Sequence, residues 1–151
     1  MKTSRFGEVM VDKSLVFDFI SPIIGYNDYA HFALVDYKSD SPFKWLQSLE
    51  DEELAFAVTL CGYFDIDYEF ELTDDDAKLL ELKDPDDILA LNIVTIPHEC
   101  PQKATINLLA PIVVNTTNNK AMQVVLRDNN RFAIKHPLFQ QTSSESGACV
   151  G

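Results

Sequence analysis

The sequence predicts a mainly β domain, a small antiparallel barrel-like or sandwich fold with one short helix over residues 73–83. Three observations carry this. Short apolar segments rich in Val, Ile, Phe and Leu recur along the chain, separated by Pro, Gly, Asn and Asp turn chemistry. Only one stretch combines a helix N-cap with apolar residues at helical spacing. A chain of 151 residues, 46% of them hydrophobic, suits one domain with a single core.

Taken in order, "RFGEVMV" (5–11) alternates as a strand does, and "SLVFDFI" (14–20) is apolar until Pro22 and Gly25 break it. "HFALVDY" (31–37) is the next strand. In "SPFKWLQSL" (41–49), Phe43, Trp45 and Gln47 share a face if the segment is extended, and a strand is the reading adopted. "LAFAVTL" (54–60) has the composition of a buried strand. In "TDDDAKLLELK" (73–83), the Thr73 hydroxyl can cap the first turn, and Asp74, Asp75 and Asp76 fall where the helix dipole favours negative charge. Leu79, Leu80 and Leu82 form its apolar stripe, and Asp84-Pro85 ends it. "DDILALNIVTIP" (86–97) is long enough to cross a sheet, and "ATINLLAPIVVN" (104–115) is two strands divided by Pro111, which has no N–H for a central ladder. "TTNNK" (116–120) is a hairpin turn whose Asn118 and Asn119 tolerate positive φ, and "AMQVVL" (121–126) returns from it. "DNN" (128–130) is a further turn. One domain is expected over residues 1–138, with a disordered tail over 139–151, where small and polar residues prevail.

The formal net charge is −12. The excess is local: residues 50–99 hold sixteen acids against Lys78 and Lys83, while the rest of the chain is close to neutral. Such a surface repels nucleic acid and anionic membrane and favours a basic protein partner. No apolar run approaches the roughly 20 residues that span a bilayer, and Met1 leads into a polar segment without the apolar stretch of a secretion signal. Three cysteines with no CxxC pair complete the reading of a cytoplasmic protein with reduced thiols.

The acids are most ordered in "FDIDYEFEL" (64–72), where Asp65, Asp67, Glu69 and Glu71 occupy alternate positions. If the segment is extended, Tyr68 and Phe70 point into the core and the carboxylates point out, about 7 Å apart. Three readings stand: a solvated outer face that deters edge-to-edge association, a protein-binding face, or a metal or catalytic site. The last lacks the glycine turn and ligand order of a calcium loop, and for paired-carboxylate hydrolysis the small chain offers few extra polar groups and no obvious cleft. Motifs of nucleophilic, zinc-protease, P-loop and dinucleotide chemistry are absent, and His98 with Cys100 makes no zinc pair alone. No enzyme activity and no cofactor are expected. Trp45, the only tryptophan, is either core or the anchor of an interface.

The segments "RFGEVMVD", "SPFKWLQSLEDEELAFAV", "DYEFEL", "DPDDILALNIVTIP", "TINLLAPIVVN", "QVVL" and "HPL" occur in an order and spacing, over residues 5–138, that resemble the FliW family of flagellar assembly factors. The chain departs from the family pattern at "FISPIIGYND" (19–28). The resemblance implies a small non-catalytic β-barrel that acts as a partner switch, and a monomer is expected. The implied partners are CsrA, a basic RNA-binding translational regulator whose repression of flagellin mRNA is relieved, and flagellin, which competes. On this basis Phe43, Trp45, Leu46, Gln47, Asp65, Asp67, Glu69 and Glu71 are the expected CsrA-facing surface, with Trp45 and Leu46 as the anchor. Leu109, Pro111, Val113 and Val125 are candidates for flagellin, or simply core. The rival reading is a small barrel that binds a metal or ligand through the carboxylates of 65–71.

Overall fold

The computed structural model describes residues 15–36, 41–64, 68–97, 99–126 and 132–138, with 2–3 and 7–8 described by backbone alone. The expected turn at 128–130, the tail at 139–151, His98, and Asp65 and Asp67 lie outside the described residues, as does most of the first expected strand.

Seven strands close into a barrel. They are β3 (Val16–Ser21), β4 (His31–Asp36), β5 (Phe43–Ser48), β6 (Ala55–Thr59), β7 (Ile88–Thr95), β9 (Ile112–Asn115) and β10 (Lys120–Gln123). Neighbours pair antiparallel from β3 to β7, then β7 pairs with β9 and β9 with β10. A parallel β10–β3 pairing shuts the ring. The short β8 (Thr105–Ile106) extends from β7 and carries β11 (His136–Pro137), and β1 (Lys2–Thr3) pairs with β2 (Gly7–Glu8) apart from the barrel. Closure leaves no free edge among the seven, which is how a sheet this small avoids edge-to-edge pairing.

Alternation sorts the side chains. Phe17, Phe19, Phe32, Leu46, Val58 and Leu91 fill the interior with Ile112 and Val114. Phe19 and Phe32 meet edge to face, with centroids 5.2 Å apart. The opposite face is also apolar over part of its area: Ile106, Leu108, Val113, Val124, Phe132 and Leu138 form a second cluster, which Tyr68, Phe70, Leu72 and Leu82 cover. The molecule thus has a core inside the barrel and another outside it, under a covering segment.

Within segment 41–49, Phe43–Ser48 is a strand, as read from sequence. Its alternation corrects the proposed anchor, because Trp45 and Leu46 point to opposite faces. Leu46 is fully buried opposite Leu34 and Phe56, inside the barrel, while Trp45 stands half-buried outside between Val35 and Ala57.

The helix α1 runs only from Asp74 to Leu79, not 73–83. Its start follows expectation: Asp76 N donates to Thr73 Oγ1 (3.1 Å). It stops early because Glu81 takes positive φ (56°), and the amides of Glu81 and Leu82 fold back onto the carbonyls of Lys78 and Ala77 (3.0 and 2.9 Å). This is the Schellman arrangement with Glu in place of Gly. The leucines therefore do not form one helical stripe: Leu79 is exposed, while Leu80 is buried because the chain has already turned. The barrel captures this turn through the β9–β10 hairpin, where Asn115 Nδ2 donates to Leu80 O (2.9 Å) and Glu81 O (3.3 Å). Asn118 Nδ2 also donates to Leu80 O (3.1 Å), and Lys120 pairs with the Glu81 carboxylate. The hairpin itself has the expected asparagine geometry, with Asn119 at φ 61°.

Cys61 is a free buried thiol, but Cys100 is disulfide-bonded. The expectation of uniformly reduced thiols fails there, since an odd count argues against a closed framework of pairs without forbidding one bond.

Candidate functional site

Beyond Phe64 the chain leaves the barrel and crosses its outer face. Residues 68–72 keep the alternation read from sequence: Tyr68, Phe70 and Leu72 are half-buried and Glu69 and Glu71 exposed. They do not, however, join any sheet. Side chains hold the segment down instead. Tyr68 OH donates to Leu108 O (2.6 Å), and its ring packs on Phe70 and Phe132, centroids 5.2 and 5.3 Å away. Burial pushes the Tyr68 phenol up to about 12, a rise that the neighbouring Asn92 amide opposes. Below it, Cys61 Sγ donates to Asn92 Oδ1 (3.4 Å), Asn92 Nδ2 donates to Asn107 O (2.9 Å), and burial raises the thiol to about 11.

Between this segment and α1 lies an open groove of about 1160 Å³. One wall is formed by residues 68–73, the other by Asp76, Ala77, Leu82, Lys83 and Pro85, and the floor by Ile88, Ala90, residues 124–126 and Phe132. Val125 is the exposed member of its run (54%), between Val124 and Leu126, which are buried. Their amides are spent on Pro111 O and Leu109 O (2.9 and 2.8 Å), which fixes the floor to the segment before β9. The groove is apolar at its base and acidic at its rim, with Lys83 the one cation among its lining residues.

The expected site residues are thereby divided. Glu69, Glu71 and Val125 meet at this groove, although they were assigned to different partners. Phe43 packs on Phe64 (centroids 5.6 Å) at the edge of the outer cluster. Leu46 and Gln47 are corrected to structural roles, since both are buried: the Gln47 amide lies within 3.3 Å of the carbonyls of Ser48, Asp51, Glu52 and Leu54, and ties down the 48–54 loop. Pro111 and Val113 are likewise buried, so they hold the floor from beneath, and Leu109 is half-buried. The apolar lining, Leu82, Ile88 and Phe132 above all, had no sequence signal that separates it from ordinary core.

None of the described acids of residues 50–99 is buried. Glu69, Glu71 and Asp76 line the groove. In the 50–53 loop, Glu50 Oε1 accepts from Ala30 N and His31 N (2.6 and 2.8 Å). These two amides hold the Glu50 carboxyl below its usual range, with His31 assisting. Among the described residues no group of three or more His, Cys, Asp or Glu side chains could hold a metal ion. Among the described residues no helix is long and apolar enough to cross a membrane.

Fold and groove together define a small closed β-barrel with an acid-rimmed apolar groove on its outer face. Comparison with known proteins places it further. The model of the FliW protein family matches residues 1–138. The chain is 35% identical over 146 residues to a flagellar assembly factor FliW of Ruminiclostridium cellulolyticum, covering 96% of this chain and 97% of that protein. It is 40% identical over 139 residues to the one of Bdellovibrio bacteriovorus, covering 92% and 78%. A crystal structure of the flagellar assembly factor FliW superposes with a TM-score of 0.84 at 27% identity, over 94% of this chain and 98% of that one. The chain belongs to the FliW family of flagellar assembly factors.

Proposed function

We propose that this protein is a cytoplasmic, non-catalytic regulator that binds CsrA and flagellin in alternation, and that its acidic surface selects the basic partner. The observation that carries this reading is the state of the acids: sixteen in one third of the sequence, with every described one at least partly exposed. Among the described residues, salt bridges join Lys44 to Asp36, Lys120 to Glu81, and His31 to Asp18 and Glu50. An acidic field of this kind speeds encounter with a cationic protein and opposes phosphate at the same surface. Glu69 and Glu71 supply that field at the groove, and Trp45 and Phe43 offer apolar contact on the outer face beyond it.

Flagellin is the competing partner in this reading, with Val125 as its exposed apolar contact. The test is association kinetics of CsrA with the wild-type protein and with the Glu69→Lys/Glu71→Lys double variant, at low and physiological salt. The variant associates more slowly and with a flatter salt dependence. An unchanged on-rate in a folded variant removes these carboxylates from the mechanism.

A further inference from the structure

We propose that the groove receives an extended segment of a protein partner, with alternating apolar and basic residues, that adds as a strand alongside residues 69–71. The proposal rests on the reading that this protein works by binding other proteins, and it names the recognition mode of that binding.

Three observations converge. First, residues 68–72 have the side-chain alternation of a strand but no strand beside them. Among the described residues, the backbone groups of Glu69, Phe70 and Glu71 make no hydrogen bond. Second, the segment is not free to seek a neighbour within its own chain. Tyr68 is pinned to Leu108 O, and Phe70 and Leu72 are packed on the outer cluster, so the unpaired backbone is held in place. With alternate side chains pointing down and up, the N–H and C=O groups project sideways, those of Glu69 and Glu71 to one side and those of Phe70 to the other, and the groove runs along this wall through residues 68–73. Third, the chemistry of the groove alternates with the segment. Residues laid opposite Glu69 and Glu71 meet carboxylates, as lysine or arginine would prefer. Residues laid opposite Phe70 face an apolar floor to which Val125 contributes an exposed side chain.

A helix in the same groove is the weaker occupant. It satisfies its own backbone and would cover that of residues 69–71 without pairing it, and covering an unpaired amide or carbonyl is unfavourable. A strand pairs those of these groups that face the groove and matches the two-residue repeat of the wall. Strand addition uses main-chain bonds for affinity and alternate pockets for specificity. The single sign of the acid file, which a merely solvated face does not require, follows from this mode.

The experiment uses the full chain and a synthetic peptide of alternating lysine and valine, with two controls: a twin N-methylated on the backbone nitrogens that would face residues 69–71, and a twin with glutamate for lysine. Binding is followed by calorimetry, and amide exchange at Glu69–Glu71 is followed by NMR. The lysine peptide binds and protects the amides on the groove side, Glu69 and Glu71 together or Phe70 alone, in the alternating pattern of a ladder. The N-methylated twin, with the same charge and side chains, binds at least tenfold more weakly, and the glutamate twin does not bind. Val125→Asp is the decisive protein variant: it adds negative charge at an exposed position, so attraction by charge alone predicts tighter binding, whereas an occupied groove predicts at least fivefold weaker binding. Equal affinity of the N-methylated twin, unaltered or tighter binding to Val125→Asp, or no binding of the lysine peptide overturns the proposal. CsrA and flagellin are titrated in parallel. Capture of both partners without peptide binding overturns the strand site alone; peptide binding as expected without either partner supports the strand site and overturns the functional reading.

Discussion

Asn115 makes the docking of α1 quantifiable. Its side chain is buried to 1% exposure at the end of β9. Nδ2 donates to Leu80 O and Glu81 O, and Oδ1 accepts from Thr117 N (3.0 Å) and Thr117 Oγ1 (2.7 Å). Asn115→Ala removes four bonds, but Asn118 still reaches Leu80 O, so one is duplicated. Three unduplicated bonds at about 1 kcal/mol each make a loss of about 3 kcal/mol, with a scatter of about half that. At about 4 °C per kcal/mol for a domain of this size, the melting point falls by about 12 °C. The assay is urea unfolding followed by Trp45 fluorescence, with hydrogen exchange at the amides of Ala77, Leu80 and Leu82. Exchange at these amides accelerates, because α1 loses its anchor before the barrel opens. Asn115→Asp sharpens the test. It keeps the acceptor and replaces the donor by a carboxylate oxygen facing two carbonyls, so it costs more than alanine despite its closer shape. A loss below about 0.5 kcal/mol, or a milder effect of Asp than of Ala, refutes the reasoning.

Other expectations follow from the same structure. Leu46→Ala, inside the barrel at 0% exposure, lowers unfolding stability by about 2–5 kcal/mol; partner affinity measured below the new melting point stays unchanged, and a selective loss of CsrA binding would restore Leu46 to the interface. In acid, Glu50 has a folded pKa below its ordinary 4.5, so its contribution is present above that value and is lost as pH falls through the depressed one; Glu50→Gln flattens this limb in a pH series of melts. In alkali, Cys61 and Tyr68 are raised from 9.0 to about 11 and from 10.0 to about 12, so each contributes fully below the lower number and its contribution fades as pH climbs to the higher one. Melting points therefore decline between pH 9 and 12, and Tyr68→Phe removes the upper part of that decline. The same burial makes the Cys61 thiol in native protein react with a disulfide reagent at pH 8 far more slowly than in urea.

Most of the barrel was legible in the sequence because its strands alternate. β4 to β7 and β9 fall within segments identified by apolar pattern and bounded by Pro, Asn or Asp, and β3 and β10 overrun theirs by one residue each, at Ser21 and Lys120. The Thr73 cap and the Asn119 turn were legible because side-chain and backbone chemistry there is local. What misled was pattern without context. "KLLELK" reads as helix, yet a positive φ at Glu81 ends α1 two residues earlier, and no glycine marks the spot. Trp45 and Leu46 look like one apolar anchor when adjacent in sequence, and strand geometry sends them to opposite faces. Gln47 reads as a surface amide, and only the 48–54 loop, folding back over it, makes it a buried clasp.

By itself the sequence determined the fold class, the concentration of negative charge in its central third, and the in-and-out order of residues 68–72, since each depends on neighbours a few positions apart. The tertiary structure alone decided that residues 68–72 stand outside the barrel and join no sheet, and that Glu69, Glu71 and Val125 share one groove. Those facts depend on β7 pairing with β9 rather than with the segment that precedes α1, and such a choice between distant strands is made by the closure of the ring, which no local pattern records.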